Sequence, residues 1–192
     1  NIENLSKIQR LNLELKSLDE ESNRIISEIE SIKNSLKTID DDIDREKSII
    51  IDANSNEKRL KEEKHELIEI DSKYYDTEKQ SNEDLDATKN KLNAEIDKVK
   101  ELISTNKNDE AITILDNCKI VIEEYADSYS KNQNIKKESV KRNERIKIIE
   151  KEIESWKNLL INSEKMINEL NERKQKLIKK FEELEKQPQS QA

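Results

Sequence analysis

Apolar residues recur at alternating steps of three and four residues along almost the whole chain. From Ile8 to Leu102 one register holds without a break, and most of its positions are Ile, Leu, Val, Ala or Tyr. It is strongest from Ile8 to Ala53 and weakens from Glu57 to Ser81. A mean spacing of 3.5 residues is typical of helices that pair in a left-handed coiled coil. The pattern predicts a long coiled-coil helix over residues 1–103.

A second register of the same kind runs from Ala111 to Leu184. It is dense from Ile146 onward and thin between Ser128 and Arg142. Because Pro188 disfavours helical geometry in the residue before it, this helix should end near Lys186. We therefore predict a second coiled-coil helix over 111–186 and a disordered tail over 187–192.

Between the two registers the count fails, and a polar run crosses residues 104–110. Asn106, Asn108 and Asp109 suit a left-handed helix end followed by the start of a new helix, with Asp109 or Asn108 as the expected N-cap. A helix-loop-helix is easy to build there. The break permits two structures, a chain that folds back on itself or a rod with a joint. For the isolated chain we expect the antiparallel helical hairpin.

The two registers give a numerical test of the hairpin. If Leu102 faces Ala111, the two residue numbers in every facing pair add up to 213. Asp71 then faces Arg142 and Ser81 faces Asn132, so the polar-rich parts of both registers coincide. Further down the helices, the facing pairs include Leu60 with Ile153, Leu36 with Leu177, and Glu57 with Trp156. The coincidence favours the hairpin, although some loop length always brings two heptad registers into phase.

Composition supports narrow helix pairing over a broad core. Charged residues form 42% of the chain and hydrophobic residues 32%, which is too few apolar residues for a compact domain of 192 residues. Glycine is absent and Pro188 is the only proline, so the chain has few means of making tight turns. The predicted fold class is all-α, built from long coiled-coil helices.

The sequence offers no catalytic, cofactor-binding or metal-ligating residues. Phosphate-binding loops need glycine for close backbone approach, so no nucleotide site or other cofactor is expected here. The carboxylates of Asp40 to Glu46 would splay around a helix instead of converging. His65 has no second histidine or nearby cysteine to complete a metal site. The remaining candidates are interpreted as fillers of the apolar stripe: Cys118, Trp156, Tyr74 and Tyr125. We predict that the segment is not an enzyme.

The sequence also bears on nucleic-acid binding and on cellular location. The net charge of -8 would repel nucleic acid on average. Two basic clusters, Lys136 to Lys147 and Arg173 to Lys180, are interpreted as solvated faces, and a nucleic-acid-binding helix at the first would show steep salt dependence. No apolar run exceeds three residues, which predicts no membrane span. The single cysteine makes no internal disulfide, and we expect a cytoplasmic protein. The first residue is Asn1, which suggests a piece of a longer polypeptide.

The second half of the chain carries a distinctive set of residues: Arg142, Arg145, Ile146, Ile149, Glu152, Ile153, Trp156, Leu170, Arg173 and Pro188. With these residues, it resembles the arm that follows the hinge in bacterial structural maintenance of chromosomes (SMC) proteins. A second stretch, Lys7 to Leu15, is similar to the start of that same arm at about the right distance.

This resemblance implies a chromosome condensation and segregation ATPase whose nucleotide-binding head and dimerising hinge lie outside this sequence. The segment would be a spacer and lever between head and hinge. Its partner would be the antiparallel arm that precedes the hinge, with homodimerisation through the absent hinge and only indirect contact with DNA. The alternative is a stand-alone cytoplasmic scaffold or tether, built from its own antiparallel hairpin or from a homodimer.

Overall fold

The computed structural model describes residues 1–187 and consists of two long α-helices. Helix α1 spans Ile2–Ser104 and helix α2 spans Asn108–Glu185. The two helices pack against each other, and ion pairs such as Lys91–Glu124 and Lys174–Asp40 join residues far apart in sequence. Residues 1–187 contain no strand. The predicted all-α fold class with an antiparallel coiled-coil hairpin is confirmed.

The connection between the helices is shorter than the sequence suggested. Only Thr105 to Lys107 lie between α1 and α2, whereas the predicted break covered residues 104–110. Asn106 has a φ of 60°, so its amide donates to Ile103 O at 3.1 Å, and the Lys107 amide donates to Leu102 O at 2.8 Å. These two bonds form a Schellman motif, in which a left-handed residue satisfies the last carbonyls of a helix.

The start of α2 corrects the predicted N-cap. Asn108 and Asp109 lie inside the helix, and it is the Lys107 carbonyl that accepts the first bond, from the Ala111 amide at 3.1 Å. Asp109 and Glu110 occupy the first turn, where negative charge interacts favourably with the positive end of the helix dipole. The Schellman motif already reverses the chain, so no longer loop is needed before α2 begins.

Substitution of Asn106 should show how much the turn depends on its left-handed residue. We expect Asn106→Ala to lower the free energy of unfolding by about 1 kcal/mol, because a Cβ without a local polar partner disfavours positive φ. The free energy of unfolding of Asn106→Gly should equal or exceed that of the unsubstituted chain. Urea unfolding followed by circular dichroism measures both. The control is Asn108→Ala, inside α2, and an Asn106→Ala effect no larger than the control would contradict the role of Asn106.

The seam is the row of residues on each helix that face the other helix, and the hairpin divides into two units along it. The first unit pairs residues 1–57 with residues 155–187. Its core contains two clusters, one around Ile25, Ile32 and Leu184 and one around Ile39, Ile43 and Leu170. Ile25 is only 1% exposed. Leu36 and Leu177, which the register places opposite each other, both pack against the first cluster.

The first twenty residues of α1 carry an apolar stripe that α2 does not cover. Ile8, Leu11, Leu15 and Leu18 continue the seam register, yet each is 56–61% exposed. Under the observed register no residue among the 187 described lies opposite them. We call Ile8, Leu11, Leu15 and Leu18 the N-terminal stripe.

The second unit covers residues 58–154. Near the turn, Val99, Ala111 and Cys118 are buried together, with Leu102 and Ile114 packed against them. Farther from the turn, Leu60 and Ile149 are fully buried and Ile153 is 8% exposed. Between these apolar parts the seam is polar.

At its C-terminal end α2 stops close to the predicted position. The Lys186 amide donates to Glu182 O at 3.3 Å and the Gln187 amide to Leu184 O at 3.2 Å, beyond the last helical residue, Glu185. Pro188 and the rest of the predicted tail lie outside the described residues.

Candidate functional site

A charged pair crosses the polar part of the seam. Arg142 Nε donates a hydrogen bond to Asp71 Oδ1 at 2.5 Å, and the two side chains are only 15% and 29% exposed. The Arg142 guanidinium carbon also lies 5.5 Å from the centre of the Tyr74 ring, within cation–π range. The predicted facing of Asp71 and Arg142 is confirmed. The pair fixes one position on α1 to one position on α2 through a charged, directional bond.

A buried amide crosses the seam at the next polar position. Asn132 is 0% exposed, and its Nδ2 donates to Asn82 Oδ1 at 2.7 Å and to Ser81 Oγ at 3.3 Å. Its own Oδ1 is buried and makes no hydrogen bond to any described residue. The register predicted that Ser81 faces Asn132, and this is confirmed. A buried Asn in a coiled-coil seam specifies register at a cost in stability.

Replacing this amide should stabilise the hairpin. In Asn132→Leu the unpaired Oδ1 disappears and apolar surface is buried, while Ser81 is half-buried and Asn82 is exposed, so that both can bond to water. We expect the free energy of unfolding to rise by about 1–2 kcal/mol. Chemical denaturation measures it, with Asn134→Leu, at an exposed position of α2, as the matched control. A loss of stability in Asn132→Leu would show that the Asn132 amide stabilises the hairpin in addition to specifying its register.

A third set of charges flanks the polar seam. Arg145 bonds to Glu63 through two nitrogens, Nε to Oε1 at 2.8 Å and Nη2 to Oε2 at 3.0 Å, and its Nη1 lies 3.7 Å from Glu152 Oε1. Lys64 Nζ lies 3.2 Å from Glu150 Oε1. The hydrogen bond from Arg145 holds the pKa of the Glu63 carboxyl below its usual value of 4.5, although partial burial opposes this. These pairs cover the edge of the seam.

The lowered pKa of Glu63 makes part of the stability depend on pH. A carboxyl whose folded pKa lies below its unfolded value stabilises the fold above the unfolded value, and this is lost as pH falls through the folded pKa. Glu63→Gln should therefore lose less stability than the unsubstituted chain when pH is lowered from about 5 to about 3. Urea midpoints at the two pH values measure this. Exposed Glu66→Gln serves as the control, and equal pH slopes for the Glu63→Gln chain and the unsubstituted chain would contradict the prediction.

The structure places the side chains considered for chemistry at separate positions along the two helices. His65 is 74% exposed and its Nε2 lies 3.2 Å from Glu69 Oε1 on the same helix. Cys118 is buried in the seam near the turn, and Trp156 is half-buried. Asp40 bonds to Lys174 and Asp42 to Arg45. Within residues 1–187, no group of three or more His, Cys, Asp or Glu is placed to hold a metal ion.

The two basic clusters differ in how far the hairpin uses them. In the first, Arg142 and Arg145 bond to carboxylates of α1, and Lys141 lies 3.7 Å from Glu138. In the second, Lys174 bonds to Asp40 at 2.7 Å. Several cations that the sequence suggested as a surface for phosphate therefore hold the two helices together. The register foresaw only the partner of Arg142, because it places Asp71 opposite; Lys174 also falls on the seam, but its facing residue is Ile39 and its partner is Asp40.

The candidate functional feature of the described residues is the surface along which the two helices pair. It consists of a mostly covered seam with a polar segment, and of the N-terminal stripe that continues the seam uncovered. Neither helix, within residues 1–187, holds a segment long and apolar enough to cross a membrane. Comparison with known proteins gives no match to a family model, to a curated protein or to a solved structure.

Proposed function

We propose that the chain is a coiled-coil arm segment of an SMC-type chromosome condensation and segregation ATPase. In this role it is a spacer and lever between head and hinge, and carries no reaction itself. The N-terminal stripe is the observation that carries the proposal. Its four seam residues are more than half exposed, although they continue the same register as the buried residues that begin at Ile25.

A solvent-exposed heptad stripe needs a second helix. Apolar seam residues stabilise a coiled coil only when a facing helix removes them from water. Among the described residues, α2 reaches no farther back than the cluster around Ile25 and Leu184. In the arm suggested by the resemblance, the facing helix would be the arm that precedes the hinge. Such an arrangement would cover the N-terminal stripe with a helix from the same parent polypeptide.

The resemblance residues have identifiable places in the seam. Ile149 is fully buried and Ile153 nearly so, while Arg142 and Arg145 bond across it. Residues that form one seam can form a similar seam with another antiparallel helix, because heptad packing depends on spacing and side-chain size. Within the parent protein, we propose that the pre-hinge arm packs against this segment in the way that α1 and α2 pack against each other here.

One observation favours a second function, a stand-alone scaffold or tether. The turn at Thr105 to Lys107 closes with both bonds of a Schellman motif, and the seam beyond it pairs in register. A chain with these properties can be ordered without a second arm. It would act as a rigid connector whose N-terminal stripe binds another helix.

The sequence that flanks this segment in its gene separates the two functions. An SMC arm requires a glycine-containing hinge upstream and, downstream, the glycine-rich ATPase signature of a head domain. Sequencing the gene on both sides should show both features at once. Flanks that lack both would contradict the SMC proposal and leave the scaffold. The flanking gene sequence would also encode the candidate partner helix, which can then be co-purified with this segment.

A further inference from the structure

We propose that the N-terminal stripe pairs with the N-terminal stripe of a second copy of the chain, with the two α1 helices antiparallel. The stripe continues the seam register, and its four residues are 56–61% exposed on a helix that is already formed. A facing helix removes such residues from water. This dimer does not require the SMC arm function, because it forms from this chain alone. A pre-hinge arm would compete with the second copy for the same residues.

The end of α2 decides the direction of a second α1 on the stripe. In the observed register the last residue of α2, Glu185, lies opposite residue 28, and Ile25 is buried in the cluster that contains Leu184. The seam face of α1 is therefore occupied from Ile25 onward. A second α1 that lay parallel on the stripe would continue along this face and collide with α2. An antiparallel α1 instead begins near the C-terminal end of α2 and runs away from it.

One antiparallel register pairs all four stripe residues with each other. The two residue numbers in every facing pair then add up to 26, and the apolar pairs are Ile8 with Leu18 and Leu11 with Leu15. The same register places the next seam positions, Asn4 and Ser22, opposite each other. A shift by one heptad in either direction would place a stripe leucine opposite Asn4 or Ser22. The stripe is therefore complementary to itself across a two-fold axis.

The hairpin itself shows which charges meet beside an antiparallel seam. Lys91 and Glu124 each precede a seam position of their helix, as Arg145 and Glu63 do. Lys91 Nζ lies 3.4 Å from Glu124 Oε2, and Arg145 Nε lies 2.8 Å from Glu63 Oε1. The residue numbers add up to 215 in the first pair and to 208 in the second, two above and five below the sum for facing seam residues. Charged side chains therefore reach each other at both offsets.

The same two offsets bring opposite charges together in the dimer. The residues that precede seam positions beside the stripe are Lys7, Glu14 and Glu21, all exposed. Lys7 of one copy then reaches both Glu21 and Glu14 of the other copy. Because the two-fold axis repeats these contacts, four attractive pairs oppose one repulsive pair, between Glu14 and Glu14 of the second copy. Glu21 also bonds to Arg24 of its own helix, but its side chain remains 51% exposed.

The other edge of the stripe brings no like charges together. Its residues directly follow seam positions and are Leu5, Asn12 and Asp19. In the dimer Asn12 lies level with Asn12 of the second copy, and Asp19 lies level with Leu5. The charges along both edges therefore favour the antiparallel second copy, since residues in these flanking positions set the partner and orientation of a coiled coil.

The oligomeric state of the full chain tests the proposal. Sedimentation equilibrium from about 1 µM to about 500 µM should show a monomer of 22.6 kDa converting to twice that mass. Leu15→Lys should remain monomeric throughout, because Leu15 is 60% exposed in the single hairpin and faces Leu11 in the dimer. The matched control is Leu13→Lys, two residues away and outside the stripe, which should leave dimerisation unchanged. Circular dichroism should show the same helicity in both variants.

Two variants of complementary charge test the direction of pairing. Lys7→Glu makes all three edge residues acidic, whereas Glu14→Lys with Glu21→Lys makes all three basic. Each variant alone should dimerise at least about ten-fold more weakly than the unsubstituted chain, because every charged pair on this edge is then repulsive. An equal mixture of the two should form a heterodimer, because every such pair is then attractive. In a parallel dimer residue 14 would lie beside Asp19, so the double substitution would strengthen self-association instead.

Four results would overturn the proposal. These are a monomer at every concentration, which would assign the N-terminal stripe to a different helix, and a dimer that survives Leu15→Lys. The other two are loss of the dimer in Leu13→Lys, and charge variants that associate no better with each other than with themselves.

Discussion

Truncating Ile149 to alanine should lower the free energy of unfolding by about 2–4 kcal/mol. Ile149 is fully buried in the seam of the second unit, so the truncation removes transfer free energy and leaves a cavity between two helices. Leu60, the other fully buried side chain in this part of the seam, should show an effect of similar size in Leu60→Ala. Urea denaturation at fixed protein concentration measures the loss.

The neighbouring isoleucine provides a matched control for this experiment. Ile148 precedes Ile149 in the same helix but is 48% exposed. Ile148→Ala loses the same atoms and gains helix propensity, so it should change stability by less than about 0.5 kcal/mol. If the two substitutions had equal effects, Ile149 would not face a partner helix and the assigned seam would be wrong.

Removal of the Arg142 side chain should lower the free energy of unfolding by about 1–3 kcal/mol in Arg142→Ala. The substitution leaves the carboxylate of Asp71 without its charged partner at a position that is 29% exposed, and it removes the contact with the Tyr74 ring. Thermal and urea unfolding both report the change. Lys141→Ala is the control, because Lys141 is 59% exposed and its nearest carboxylate oxygen, on Glu138, is 3.7 Å away.

A double-mutant cycle isolates the pair itself. Asp71→Asn combined with Arg142→Ala should cost clearly less than the sum of the two single changes, because the second substitution removes a partner already lost. Additive effects would mean that Asp71 and Arg142 do not interact in solution. That result would contradict the register assigned to the polar seam.

Much of the fold follows from heptad spacing alone. The spacing predicts the two helices. With Leu102 placed opposite Ala111, counting seam positions alone then pairs Asp71 with Arg142 and Ser81 with Asn132. The turn was harder to predict. The expected caps, Asn108 and Asp109, compete with a backbone solution in which Asn106 turns left-handed, and residue type does not decide between them.

The interactions beside the seam were missed for a different reason. Arg145 reaches Glu63 because long side chains extend along the helix axis, so facing positions do not identify their partners. Asn82 bonds to Asn132 from just outside the stripe. Exposure of the N-terminal stripe depends on how far α2 extends along α1, which the register of either helix alone does not contain.

The central claim is that α1 and α2 of one chain pack antiparallel in the assigned register. Pulsed electron paramagnetic resonance tests it, with nitroxide labels on cysteines at positions 91 and 124 in a Cys118→Ala background. These positions form a salt bridge across the hairpin, so the labels should lie within about 20 Å, and dilution with unlabelled protein should leave the distance unchanged. A straight rod would separate them by about 50 Å over 33 residues, at 1.5 Å per residue. A distance near that value, or a short distance that disappears on dilution, would contradict the hairpin.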